Sequence, residues 1–172
     1  MADPAVLVGM VMGSVSDWPS LEPAAVLLKE WGIGVEVSVA SAHRSPRRAQ
    51  AYAREAAGRG LKVIIAAAGA AAHLAGVIAA ETTLPVIGVP LPSSSLQGLD
   101  SLLATVQMPA GVPVATMALG SAGARNAALF AAQILALGDP GLQEKLKQHK
   151  LDLEAKVVAQ NEKIPADYHP RR

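Results

Sequence analysis

Leu61-Lys-Val-Ile-Ile-Ala66, running on into Ala67-Ala-Gly-Ala-Ala-Ala-His-Leu74, decides how this chain folds. The continuous Val-Ile-Ile run has no polar alternation, so it reads as a strand covered on both faces, as in parallel sheets flanked by helices. Outward from it the same pattern repeats. Val6 to Met12, Val35 to Val39, Pro85 to Val89 and Val112 to Met117 are short apolar runs bounded by Gly or Pro. Between them lie helical stretches. One runs from Pro19 to about Trp31, with Leu21, Ala24, Ala25 and Leu28 on one face. Another opens at Ser45-Pro46, a cap followed by a first-turn proline, and ends near Arg59 before Gly60. Further helices are expected from about Ala72 to Glu81, in a short piece near Leu99 to Val106, and from Ala122 to Leu137. Strands alternating with helices imply βαβ units and a parallel five-stranded sheet with helices on both faces.

After Gly138-Asp139-Pro140 the character changes. Residues 1–138 read as an α/β catalytic domain and 139–172 as a C-terminal helical extension and tail. Leu142, Leu146, Leu153 and Val157 form a narrow stripe from Gly141 to about Asn161, suited to packing on another helix. A neighbouring subunit and the chain's own domain both remain candidates for that helix. Ile164 to Arg172 read as a loose tail.

Composition narrows the function. The 172 residues suit one domain and are 51% hydrophobic but only 17% charged, against a usual charged share of about 25%. So few charges imply surface buried between subunits. Aromatics at 3% argue against stacking-based capture of single strands. Lys plus Arg number 15 and Asp plus Glu 14, which gives no electrostatic case for nucleic acid or a membrane surface. There is no cysteine, so thiol nucleophiles, disulfides and cysteine-ligated metals are excluded. No apolar run approaches the ~20 residues of a membrane span, and Met1-Ala2-Asp3-Pro4 lacks the positive start of a signal peptide. The expected location is cytoplasmic.

Ligands of open parallel sheets bind beyond the carboxyl ends of the strands, so the residues just after each strand matter most. Gly13-Ser14-Val15-Ser16-Asp17 offers close backbone approach, two hydroxyls and a helix start, the ingredients of a phosphate seat. Asp17 suits a ribose diol, although Ser16 or Asp17 capping the helix is equally consistent. Ser41-Ala42-His43-Arg44-Ser45-Pro46 places a phosphate-matched guanidinium beside the block's one group that titrates near neutrality. The alternative is a loop histidine and a solvated arginine. The alanine and glycine run before His73 supplies room and backbone amides rather than catalytic groups, and His73 itself is either ligand-side or a helix cap. His149 and His169 read as solvated. No zinc-protease, serine-elbow, Walker or dinucleotide motif is present.

Read in order, Met12-Gly-Ser-Val-Ser-Asp-Trp18, Ser41-Ala-His-Arg-Ser-Pro46 and Ala71-Ala-His-Leu74 resemble the N5-carboxyaminoimidazole ribonucleotide mutase (PurE) family of purine (IMP) biosynthesis. Gly98-Leu-Asp-Ser-Leu-Leu103, Val106-Gln-Met-Pro109, Gly111-Val-Pro-Val114, Ala122-Gly123 and Asn126-Ala127 extend the match from about Val6 to Leu137. The resemblance implies a flavodoxin-like three-layer αβα sandwich, a homo-octamer, and neither metal nor organic cofactor. It implies an isomerase that moves a carboxylate from an exocyclic nitrogen to a ring carbon through enclosed CO2. His43 is then the general acid/base and Ser14 and Arg44 hold the 5′-phosphate. Asp17 holds the ribose hydroxyls, and Ser16, Ser41, Gly69, Ala70, His73 and Leu74 complete the substrate site. A functional link to the ATP-dependent synthase that makes the substrate also follows.

The third motif departs from the family wording at Ala67, Ala70 and Ala75, where Gly, Gly and Pro are usual. These three positions are expected to fall at the CO2 pocket. A methyl at Ala70 would be costly if the backbone there needs positive φ. Pro92 and Ser93 to Ser95 also differ from the commoner loop. The departures bear on turnover rather than fold. Two other readings compete: a 5-aminoimidazole ribonucleotide carboxylase using free CO2, and a non-catalytic flavodoxin-like nucleotide-binding module.

Overall fold

The computed structural model describes residues 5–165 and Tyr168. The readings of Met1 to Pro4, of His169 and of most of the tail lie outside those residues.

Five parallel strands form the sheet: β1 (Val6–Met12), β2 (Gly34–Val39), β3 (Val63–Gly69), β4 (Val86–Leu91) and β5 (Ala115–Thr116), in the order β2-β1-β3-β4-β5. The helices are α1 (Trp18–Glu30), α2 (Pro46–Ala56), α3 (Leu74–Ala80), α4 (Leu99–Val106), α5 (Gly120–Ala136) and α6 (Pro140–Asn161). This strand order is the flavodoxin-like one, with its switch point between β1 and β3. The expected fold class is therefore the observed one.

Strand alternation divides the core in two. Val8, Met10 and Met12 of β1, Val63, Ile65 and Ala67 of β3, and Ile87, Val89 and Leu91 of β4 pack with α1 and α5. Val11, Ile64, Ala66 and Val86 face the other way, with Ala49, Ala53 and Ala56 of α2 and Leu74, Ala75 and Ile78 of α3. Because the side-chain period is two, a run without polar residues fills both layers at once. On α5 the buried face is all small: Ala124, Ala127, Ala128, Ala131, Ala132 and Ala136. A side chain at Gly123 would run into the Ala118 carbonyl, so this helix lies tight on its neighbours.

Several boundaries differ from the sequence reading. β3 starts two residues later and runs on to Gly69, because Ala66 to Gly69 pair with Gly88 to Leu91 of β4. β4 continues through Pro90; β5 reaches only Ile87 and Gly88, so the missing proline N–H costs no bond on that side. β5 shrinks to two residues: the Val112 N–H closes a turn onto the Pro109 carbonyl, and Pro113 has no N–H to give. α3 starts at Leu74 rather than Ala72.

The first part of α6 packs on the same chain. Leu142 is buried with α5 and Leu146 packs beside it. Lys145 Nζ donates to the Trp31 carbonyl at 2.6 Å. His149 is not simply solvated, since its ring meets Trp31 edge-on at 5.7 Å between centroids. Beyond it the stripe is open, with Leu153 and Val157 43% and 65% exposed. No described helix is long and apolar enough to cross a membrane.

Candidate active site

The carboxyl ends of β1, β2, β3 and β4 converge on a cavity of about 470 Å³, within the usual range for small-molecule sites. Its first wall is the turn after β1. The Ser14 N–H donates to Asp17 Oδ2 at 3.0 Å, while Ser14 Oγ accepts from the Ser16 N–H at 3.4 Å and the Ser16 hydroxyl at 2.9 Å. This reciprocal capping box fixes a short 3-10 turn over Val15–Asp17. The cap is thus Ser14, on the short turn, and neither Ser16 nor Asp17 caps α1 with its side chain; Ser14, Ser16 and Asp17 all line the cavity. Ser14 Oγ accepts twice, which leaves its own proton for a ligand. Burial pushes the Asp17 carboxyl above its ordinary range, opposed by the Ser14 N–H, the charge of Arg44 and the Gly13 N–H.

The second wall is the turn after β2. The Ser41 N–H donates to Ser45 Oγ at 2.9 Å, and the Ser45 hydroxyl returns a bond to the Ser41 carbonyl at 3.2 Å. Ser45 therefore spends its side chain on this loop and does not cap α2 as the sequence suggested. Ser41 Oγ accepts from the Arg44 N–H at 3.1 Å, which leaves Ala42, His43 and Arg44 at the apex of a closed turn. Arg44 Nη2 donates to the Gly13 carbonyl at 3.1 Å, aiming the guanidinium at the first wall, and among the described residues its other side-chain N–H groups have no hydrogen-bond partner.

Ala68 and Gly69 at the end of β3 and Ala71 just beyond it, with Leu74, make the inner wall from small or apolar groups. His73 does not line the cavity itself. It stands at the start of α3 without capping it, and its Nδ1 lies 2.8 Å from His43 Nε2, the rings nearly perpendicular at 85°. Across such a contact one imidazole donates and the other accepts, so the two rings share one bridging proton.

Of the expected site residues, Ser14, Ser16, Asp17, Ser41, His43, Arg44, Gly69 and Leu74 meet in one cavity. Ala70 does not line it; the residue is exposed and holds φ +51°, one of two non-glycine residues with positive φ among those described. The expectation that Ala67 and Ala75 sit at the pocket is corrected. Ala67 points into the layer beneath α1 and α5, and Ala75 into the layer beneath α2 and α3, both fully covered. Ser93, after β4, lines the cavity and was missed. The rule of searching just beyond each strand would have found it had β4 been drawn to Leu91.

Fold and site together define a flavodoxin-like α/β protein whose switch-point cavity gathers serine hydroxyls, a carboxylate and a guanidinium beside a histidine pair. By sequence the chain belongs to the AIR carboxylase family, which it matches over residues 7–156. It is 59% identical over 154 residues to the N5-carboxyaminoimidazole ribonucleotide mutase of Pseudomonas aeruginosa, covering 90% of this chain and 94% of that one. It is 54% identical over 151 residues to the mutase of Pyrococcus horikoshii, covering 88% and 84%. With the mutase of Bacillus subtilis it shares 51% over 158 residues, covering 92% and 98%. Among solved structures, Treponema denticola PurE superposes with a TM-score of 0.82 at 29% identity, covering 92% of this chain and 98% of that one.

Proposed function

We propose that this chain is an N5-carboxyaminoimidazole ribonucleotide mutase, an isomerase of purine biosynthesis that moves the substrate's carboxylate from the exocyclic nitrogen to ring carbon four. The observation that carries the proposal is the 2.8 Å His43–His73 contact beside a cavity that also holds Ser14 and Arg44. The phosphate sits on the Ser14 hydroxyl and the free N–H groups of Arg44, where a planar fork and a fixed turn suit it. Asp17 retains one carboxylate oxygen for the ribose diol.

The chemistry follows from proton balance. Breaking the N–CO2 bond leaves an electron pair on nitrogen that takes a proton from protonated His43. Ring carbon four then attacks the released CO2, and the proton on that carbon returns to His43. One histidine closes the cycle with no net proton change. His73 orients the imidazole of His43 through their shared bond. Freed CO2 has to wait where water is scarce, and the small walls of Ala42, Ala68, Gly69 and Ala71 offer it a niche.

The curated relatives above carry the mutase name, which favours this reading over the carboxylase that uses free CO2. Purified protein should convert the N-carboxylated substrate with no dependence on added bicarbonate. His43→Asn should abolish conversion while ribonucleotide binding persists. Dependence on bicarbonate, or full turnover by the variant, overturns the proposal.

The chain is further proposed to work in the cytoplasm as a homo-octamer, beside the synthase that supplies its substrate. In support of self-assembly, Leu96, Leu99, Leu103 and Val106 form an apolar ridge on and before α4, each 47–61% exposed. The uncovered second half of α6 adds Leu153 and Val157, consistent with 139–172 acting as an extension that reaches a neighbouring copy.

A further inference from the structure

Ser93 carries an assignment beyond the residues named so far. Its backbone N–H closes a tight turn onto the Leu91 carbonyl at 3.0 Å. The same carbonyl accepts from the buried Ser101 hydroxyl at 2.9 Å, pinning the turn to α4. Pro92 precedes it with a fixed φ and packs against Gly98 and Gly120. The serine is thus presented by a rigid support. Its side chain faces Gly69 so closely that a Cβ at residue 69 would overlap both Oγ and Cβ of Ser93. Its hydroxyl has no hydrogen-bond partner among the described residues, although Ser14, Ser16, Ser41, Ser45 and Ser101 all have one.

Ser14 follows β1, and Ser93 follows β4, two strands away across β3. Neighbouring strands lie about 4.8 Å apart, so the two hydroxyls bracket a span of roughly 10 Å along the strand ends. A ribonucleotide with its phosphate on Ser14 and Arg44 and its ring beside His43 directs its far end toward β4. The group at that far end is the carboxylate on the ring.

Resting on the mutase reading, we propose that Ser93 is a substrate residue whose hydroxyl donates to the carboxylate of the ribonucleotide base. Gly69 is a glycine because any side chain there would displace that hydroxyl. Ser93 thereby differs from the phosphate-end serines: it distinguishes carboxylated from uncarboxylated ligand, and they do not.

The test compares two ligands by calorimetry on the full chain: 4-carboxy-5-aminoimidazole ribonucleotide and its decarboxylated counterpart. Ser93→Ala should bind the carboxylated ligand about ten- to a hundredfold more weakly, the factor a hydrogen bond to a charged group carries. The decarboxylated ligand should bind as it does to wild type. Gly69→Ala, which keeps the hydroxyl but displaces it, should show the same selective loss. Equal affinities of Ser93→Ala and wild type for the carboxylated ligand overturn the Ser93 assignment and leave the mutase reading standing. Equal weakening of both ligands also overturns it, since that marks a general loop role. Wild-type protein that binds neither ligand overturns both.

Discussion

Restoring glycine at Ala70 and at Ala67 should move stability in opposite directions, although the chemical change is the same. Ala70 holds φ +51°, a region that costs an L-residue roughly 1–2 kcal/mol. Glycine removes that cost but adds unfolded-state entropy worth about 0.4–1 kcal/mol. Because Ala70 is exposed, its methyl contributes little burial to set against the change. Ala70→Gly should therefore stabilise by about 0.5–1 kcal/mol, or raise Tm by roughly 1–4 °C for a chain of this size. Ala67 is fully buried in β3 at ordinary negative φ. Ala67→Gly loses a buried methyl worth about 0.8 kcal/mol and adds the entropic cost of glycine, so it should destabilise by about 1–2 kcal/mol. Thermal unfolding by circular dichroism, with both variants at one protein concentration, reads the two shifts. A fall in Tm for Ala70→Gly matching that of Ala67→Gly would refute the reasoning, because residue 70 would then have no left-handed strain to relieve.

Two further outcomes are expected. Arg44→Lys cannot both bond the Gly13 carbonyl and present a planar fork, so Kd for the ribonucleotide should rise about tenfold or more; an unchanged Kd by titration would remove Arg44 from the phosphate seat. Glu36 lies 2.7 Å from Arg59 with both side chains about one-third exposed, 33% and 35%. Burial raises its pKa, but the hydrogen bonds from Arg59 and Tyr52 and the charge of Arg59 together outweigh that, and the net shift is downward from 4.5. A depressed carboxylate stabilises above its unfolded pKa and loses that contribution as pH falls through its folded value. Glu36→Gln should cost no more than about 1 kcal/mol at pH 7 after solvent screening, and denaturant midpoints of the two proteins should draw together below about pH 4. A gap that stays constant down to pH 2 would contradict the ion-pair origin.

The β-strand core was legible because its residues are uniformly apolar, and strand and helix lengths alone distinguish it from a bundle. The turn residues His43 and Arg44 were legible because the two serines around them close a local loop needing no distant partner. Less local features escaped. The short β5 depends on where the Val112 N–H finds a carbonyl, and the Trp31–His149 contact on how α6 folds back. Ala70's left-handed backbone shows in the sequence only as a missing glycine. Ser93 escaped because β4 runs on through Pro90 to Leu91, which sets the serine just beyond a strand end and against Gly69, the last residue of β3.

Crystals of the chain soaked with 4-carboxy-5-aminoimidazole ribonucleotide give the most direct view of the proposed chemistry. Phosphate oxygens should lie on Ser14 Oγ and Arg44, with the His43 ring nitrogen not bonded to His73 within hydrogen-bonding reach of the imidazole base, directly or through one water. A nucleotide bound elsewhere, or bound there with the His43 ring turned out of reach of the base, would contradict this arrangement.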